Sequence, residues 1–314
     1  MKPCGVVSAL LAASSACIAY VVLWSGQKQP QQAQRQGEGA EYDLGSGRMF
    51  DAIAPRYDLI NKVISLGLDM QWRRAMIAGL QLRPGDRVVD MATGTADVAI
   101  MISEELSRLQ TLAGGTVPGT VPGTVQHTVV GIDPSAEMLS VGRRKALDAG
   151  LSDSRVRLQI GDAQDLSDIP DGSVDKLTMA FGIRNVPDRL KALKEFRRIM
   201  SVPEGEGDRE EGEEGGGVQG AAGSIVAILE LQNPEFGVVA YVSRAFIRYA
   251  APVLGWAMSG NGAEYGHLKN SILSFPTVDE WTGLMAEAGL DVFSHETMGF
   301  GTVHLYLARP RGDH

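Results

Sequence analysis

The chain has 314 residues, 44% of them hydrophobic and 21% charged, with a formal net charge of −9. That length and balance describe one ordinary globular domain with attachments, and the acidic excess argues against a nucleic-acid surface. The two cysteines, Cys4 and Cys17, both precede the globular part, which therefore has no disulfide and no cysteine metal site; the five histidines show no ligand spacing, and no metal is expected.

Gly5 to Trp24 is a nearly uncharged apolar run. Its length of about 20 residues suits one membrane-spanning helix, or the apolar part of a cleaved signal or organelle presequence. The glutamine-rich stretch that follows argues against a core helix. Residues 1–26 therefore read as a membrane anchor or targeting segment, and 27–47 as a polar linker. A globular domain is expected over 48–310. Phe50 to Leu80 carries apolar residues at helical spacing, broken at Pro55 and Gly67, which predicts short helices ahead of the first strand.

The chain is organised around Val88 to Asp97 (VVDMATGTAD). An apolar run ends in an acid, passes through small residues and enters a helical pattern at Val98. Small side chains let backbone approach a ligand, and a helix N-terminus offers unpaired N–H groups. The dinucleotide pattern G-x-G-x-x-G is absent, which disfavours a nicotinamide or flavin pocket. Thr128 to Asp133 is a second strand closed by an acid that can accept from both ribose hydroxyls, and Val156 to Gly161 is a third strand, followed by Asp162 and Ala163. Val174 to Ala180 and Ser224 to Leu231 complete five strands alternating with helices over Asp97–Leu109, Glu137–Ala149 and Arg189–Met200. The charge run on the last of these helices reads as a solvated face. Low-complexity insertions occupy 113–127 and 203–223. Phe236 to Met258 is a long apolar helical stretch that suits core, a dimer face or a tunnel wall alike. After a helix at Val278–Ala288, Asp291–Met298 and Val303–Ala308 form a hairpin. The fold class is α/β: a Rossmann-like, seven-stranded, mostly parallel sheet with helices on both faces and an antiparallel C-terminal edge hairpin.

The order D-x-A-x-G-T-x-D, G-x-D, G-D-A resembles the S-adenosylmethionine-dependent methyltransferases of the seven-strand class. Tyr57-Asp58-Leu59-Ile60-Asn61 with Ser65 and Trp72, and Phe181-Gly182-Ile183-Arg184-Asn185-Val186, resemble the signatures of the quinone-biosynthesis C-methyltransferases. The resemblance runs from about Met49 to Pro310. It implies S-adenosylmethionine as cofactor, held by Gly94, Thr95, Asp133, Asp162 and Ala163. It implies a lid carrying Tyr57, Asp58 and Asn61, and a catalytic pair Arg184 and Asn185 facing the methyl group. Arg184 pairing structurally with Asp58 or Glu230 is the competing reading. The sequence departs from the family at Ala96, usually glycine, where an alanine is expected to need negative φ. It also departs at Ala180, often serine, and in the 203–223 insertion.

The implied reaction is C-methylation of a prenylated quinol, in menaquinone/phylloquinone or ubiquinone biosynthesis. The run Gly299 to Tyr306 leans toward demethylmenaquinol. A methyltransferase on another small lipophilic acceptor and a non-catalytic scaffold of a quinone-synthesis complex are the alternatives. The expected partners are the quinol, a membrane, and a homodimer or quinone-synthesis complex. The expected location is membrane-associated, in a mitochondrion or plastid if the source is eukaryotic.

Overall fold

A computed structural model describes residues 47–65, 67–113, 129–202, 223–234 and 270–312. Most of both insertions, the apolar run at 5–24 and the helical stretch at 236–258 lie outside the described residues. Among the described residues no helix is long and apolar enough to cross a membrane.

The elements follow the chain as α1 (Arg48–Ile53), α2 (Tyr57–Ile64), α3 (Asp69–Gly79), β1 (Val88–Met91), α4 (Asp97–Leu112), β2 (Val129–Asp133), α5 (Ala136–Asp148), β3 (Val156–Ile160), β4 (Lys176–Ala180), α6 (Arg189–Ile199), β5 (Ile225–Leu231), α7 (Val278–Glu287), β6 (Leu290–Met298) and β7 (Val303–Pro310). Their order in the sheet is β3-β2-β1-β4-β5-β7-β6. β7 runs antiparallel to both its neighbours and the other pairings are parallel.

Residue alternation along the strands divides the core into two. Val89, Met91 and Val226 pack with Phe196 of α6 and Trp281 of α7 on one face. Val88, Val129 and Ile225 pack with Met76 of α3, Ile102 of α4 and Leu139 of α5 on the other. Local signals agree with the ends of these helices. Ser135 caps α5 by accepting from the Met138 N–H at 3.1 Å, Asp188 caps α6 from the Lys191 N–H at 2.9 Å, and Thr277 with Glu280 forms a capping box on α7.

The chain leaves β1 outward to β2 and β3, then returns to place β4 on the other side of β1. The strand order therefore reverses between β1 and β4, and open α/β sheets bind ligands at the carboxyl ends of the strands at such a point.

Candidate functional site

The turn after β1 is held from below and from the side. Asp90 lies under it, accepting from the hydroxyls of Thr93 and Thr178, each at 2.6 Å. Burial pushes its carboxyl up to about 6. Asp133, at the tip of β2, accepts from the Gly94 N–H and the Ser135 N–H, each at 2.8 Å. This carboxyl too is raised by burial to about 6.

The backbone at this rim is unusual. Ala92, Ala96 and Phe181 adopt left-handed conformations, with φ of 50°, 65° and 57°. Negative φ was the condition expected for an alanine at position 96, and the structure corrects it. The Ala96 N–H closes the turn onto the Thr93 carbonyl at 2.9 Å, and the residue then caps α4, fully buried. A left-handed residue other than glycine costs about 1–2 kcal/mol, and such strain clusters at ligand-binding turns.

The α2 segment meets this turn directly. The Thr95 hydroxyl donates to Asp58 Oδ1 at 2.6 Å, and Lys145 of α5 donates to Asp58 Oδ2 at 2.8 Å and to Thr95 Oγ1 at 3.2 Å. Lys145 also pairs with Asp97. Arg73 of α3 donates to Asp69 at 2.5 Å and lies 3.7 Å from Asp97. A cleft opens between Tyr57 and Arg73 on one side and Asp90, Gly94, Thr95 and Ala180 on the other. Asn61 is half-buried one turn along α2 from Tyr57.

The remaining expected residues lie at neighbouring strand ends. Asp162 is exposed beyond β3, its carboxylate accepting from the Gln164 N–H at 2.9 Å, and Ala163 beside it is buried. Arg184 and Asn185 form a 3-10 turn beyond β4. The Arg184 guanidinium is buried and donates to Glu230 at 2.6 Å and to the Phe181 carbonyl at 2.5 Å, while its N–H meets Glu230 at 3.1 Å. Of the two structural partners expected for Arg184, Glu230 is the one it has, and Asp58 is engaged by Thr95 and Lys145 instead. Asn185 is half-buried.

Sequence reading missed Arg73 and Lys145, and gave Asp97 only as the close of the D-x-A-x-G-T-x-D run. The Asp69–Arg73 spacing of four on a helix carried a signal; the meeting of Lys145 with Asp58 and Asp97 needs the tertiary fold.

These residues fit S-adenosylmethionine. Gly94 has φ of 55° and nothing within 4 Å of where a Cβ would stand, so the turn presents bare backbone to the cleft. Each Asp133 oxygen accepts one backbone N–H and keeps a lone pair for a ribose hydroxyl.

The chain is similar in sequence and in fold to known methyltransferases. The sequence model described as the ubiE/COQ5 methyltransferase family matches residues 40–206 and 220–309. The demethylmenaquinone methyltransferase of Thermus thermophilus is 34% identical over 82% of this chain and 98% of its own. The ubiquinone/menaquinone biosynthesis C-methyltransferase UbiE of Geotalea daltonii is 33% identical over 82% and 93%. Among solved structures, an S-adenosylmethionine-dependent methyltransferase from Aquifex aeolicus aligns with a TM-score of 0.50 at 16% identity, covering 82% of this chain and 97% of its own, a likeness of fold.

Proposed function

Because the chain belongs to the ubiE/COQ5 methyltransferase family, we propose that it C-methylates a prenylated quinol of quinone biosynthesis, and that the acceptor is of the demethylmenaquinol type. The enzyme is an S-adenosylmethionine-dependent C-methyltransferase. The observation that carries the reading is the convergence at one rim of Asp133, the bare Gly94 turn and the Arg184–Asn185 turn. The lean toward demethylmenaquinol is supported by relatives from Thermus and Deinococcus radiodurans that carry the name demethylmenaquinone methyltransferase.

The bound cofactor supplies an electrophilic methyl group on a sulfonium. Asp133 and Gly94 fix the nucleoside, and orientation of donor against acceptor supplies much of the rate. The acceptor carbon would become nucleophilic when the adjacent ring hydroxyl gives its proton to solvent; it would then take the methyl as the sulfur–methyl bond breaks, leaving the neutral thioether, and the proton on that carbon would pass to solvent to restore the aromatic ring. Arg184 is locked by Glu230, so it acts by position: a fixed cation at the tip of β4 favours the phenolate. Asn185 on the same turn orients the ring. Tyr57, Asp58 and Asn61 close the cleft from α2, and Asp162 with Ala163 receives the adenine. A prenylated acceptor partitions into a bilayer, so we place the enzyme at a membrane, with the segment at 1–26 as its anchor or address.

Methyl transfer from labelled S-adenosylmethionine tests this, with short-chain demethylmenaquinol and methoxy-benzoquinol offered side by side. Label in the first alone, lost in Arg184→Ala, is the expected result. Label only in the benzoquinol overturns the acceptor. Cofactor binding without transfer to either points to another lipophilic acceptor, and absence of cofactor binding points to the scaffold.

A further inference from the structure

We propose that Arg189 is a positioning residue for methyl transfer: it clamps the Arg184–Asn185 turn and supplies there the positive charge that the Arg184–Glu230 pair lacks. The proposal rests on that turn facing the quinol acceptor and deepens that reading.

Arg189 is the first residue of α6, and its guanidinium folds back onto the turn beyond β4. Nη2 donates to the Arg184 carbonyl at 3.0 Å, and Nε donates to the Ile183 carbonyl at 3.3 Å. The sequence explains why a side chain is needed. Inside the turn, Asn185 N–H meets the Gly182 carbonyl and Val186 N–H meets the Ile183 carbonyl. The next donor in that series is residue 187, and Pro187 has no N–H to give to Arg184. Arg189 takes its place. The guanidinium carbon lies over the buried Phe275 ring, 5.1 Å from its centre. The segment ahead of α7 thus backs the clamp. A cation at the start of a helix opposes the helix dipole, so α6 by itself does not call for an arginine here.

The charges give the clamp a second role. The Arg184 guanidinium and the Glu230 carboxylate meet at 2.6 Å and together carry no net charge. Among the described residues, Arg189 is bonded to carbonyls and to no carboxylate. Burial pulls its guanidinium below the ordinary range while Glu230 acts against this, and an arginine in that position stays charged. Asp188, the cap of α6, is exposed, where water screens it. His304, opposite Glu230 on β7, is pushed down to about 4 by burial and is neutral. The positive charge in excess at this turn is therefore that of Arg189. A ring hydroxyl placed beside such a charge loses its proton more readily.

Methyl transfer by the full chain from labelled S-adenosylmethionine to the short-chain quinol that accepts label, followed from about pH 6 to 9, separates clamp from charge. Arg189→Gln keeps N–H donors and removes the charge, whereas Arg189→Lys keeps the charge and loses the planar fork. In Arg189→Gln the rise of kcat with pH is expected to move up by about one pH unit, with kcat at neutral pH about tenfold lower. In Arg189→Lys the rise is expected to stay in place while kcat falls severalfold at every pH. KM for S-adenosylmethionine should stay within about twofold in both, since the cofactor turn lies beyond β1. An unshifted profile in Arg189→Gln, or unaltered rates in both variants, overturns the proposal and leaves the methyltransferase reading standing. Loss of S-adenosylhomocysteine binding in both variants also overturns it, because Arg189 then supports the fold at large. Absence of transfer by the unaltered protein to any quinol overturns the reading and the proposal with it.

Discussion

Asp58 of α2 accepts the hydroxyl proton of Thr95 at 2.6 Å, so α2 is tied directly to the turn after β1. Lys145 closes the triangle from α5. The pair is partly exposed, and ion pairs of that kind contribute about 0–1 kcal/mol. Asp58→Ala is therefore expected to leave global stability nearly unchanged while loosening α2. Hydrogen exchange should rise severalfold across residues 57–64 and stay level in β1 and β2. Unaltered exchange in α2 would show that something other than this triangle docks the helix.

Asp133 gives a pH dependence whose sign differs for folding and for binding. Its folded carboxyl, raised to about 6, holds a proton more tightly than in the unfolded chain. The native state binds more protons between the unfolded value and about pH 6, so this group's contribution to stability is full below the unfolded value and is lost as pH rises through 6. Ribose binding calls for the ionised form. Affinity for S-adenosylhomocysteine is thus expected to fall as pH drops below 6, by at most about tenfold per unit for one proton. Calorimetry from pH 5 to 8 reads this directly. Asp133→Asn should weaken binding by roughly 10- to 100-fold and flatten the profile.

Gly142 of α5 sits against the strained turn. A Cβ there would stand 3.0 Å from Ala96 Cβ and 3.2 Å from the Thr95 carbonyl carbon, which is backbone and yields little. Gly142→Ala is expected to destabilise by about 1–3 kcal/mol, as overpacking does, and to weaken cofactor binding. Adding Ala96→Gly removes one colliding methyl and relieves the left-handed alanine, and should return part of the loss. Thermal melts of the two single variants and the double variant measure the coupling.

Glu230 is completely buried and its carboxylate holds both the guanidinium and the N–H of Arg184. Removing one member of a buried pair leaves an uncompensated charge and costs about 3–5 kcal/mol. Glu230→Ala should therefore lower both the melting temperature and the turnover, while Arg184→Met with Glu230→Leu should restore stability without turnover. A stable but inactive double variant separates the fold from the chemistry at this turn.

The regular part of this architecture was legible because its signals are local. The apolar runs closed by Asp90 and Asp133, and the one ending at Ala180, gave strand ends to within a residue, and those two acids marked the rim. Legibility ended where distant segments meet. The family's usual glycine at position 96 pointed to a left-handed conformation, but that an alanine keeps it depends on the bond to Thr93 and the fit of α5 against the turn. The motif placed Arg184 toward the methyl group and left Asp58 and Glu230 open as partners; the choice of Glu230, 46 residues away, needs the tertiary fold. The Arg73 environment likewise depends on α3, α4 and the turn beyond β4 coming together.

The place of β7 has a consequence for biosynthesis. Translated after β5 and β6, it nonetheless lies between them, pairing Val226 with Ala308 and Met298 with Val303. While the polypeptide emerges from the ribosome, β5 keeps an open edge until the residues around 303–310 arrive, and an open edge templates aggregation. The nascent protein thus passes through a stage at which Glu230 has no strand beside it, and that stage is where a chaperone has the most to protect.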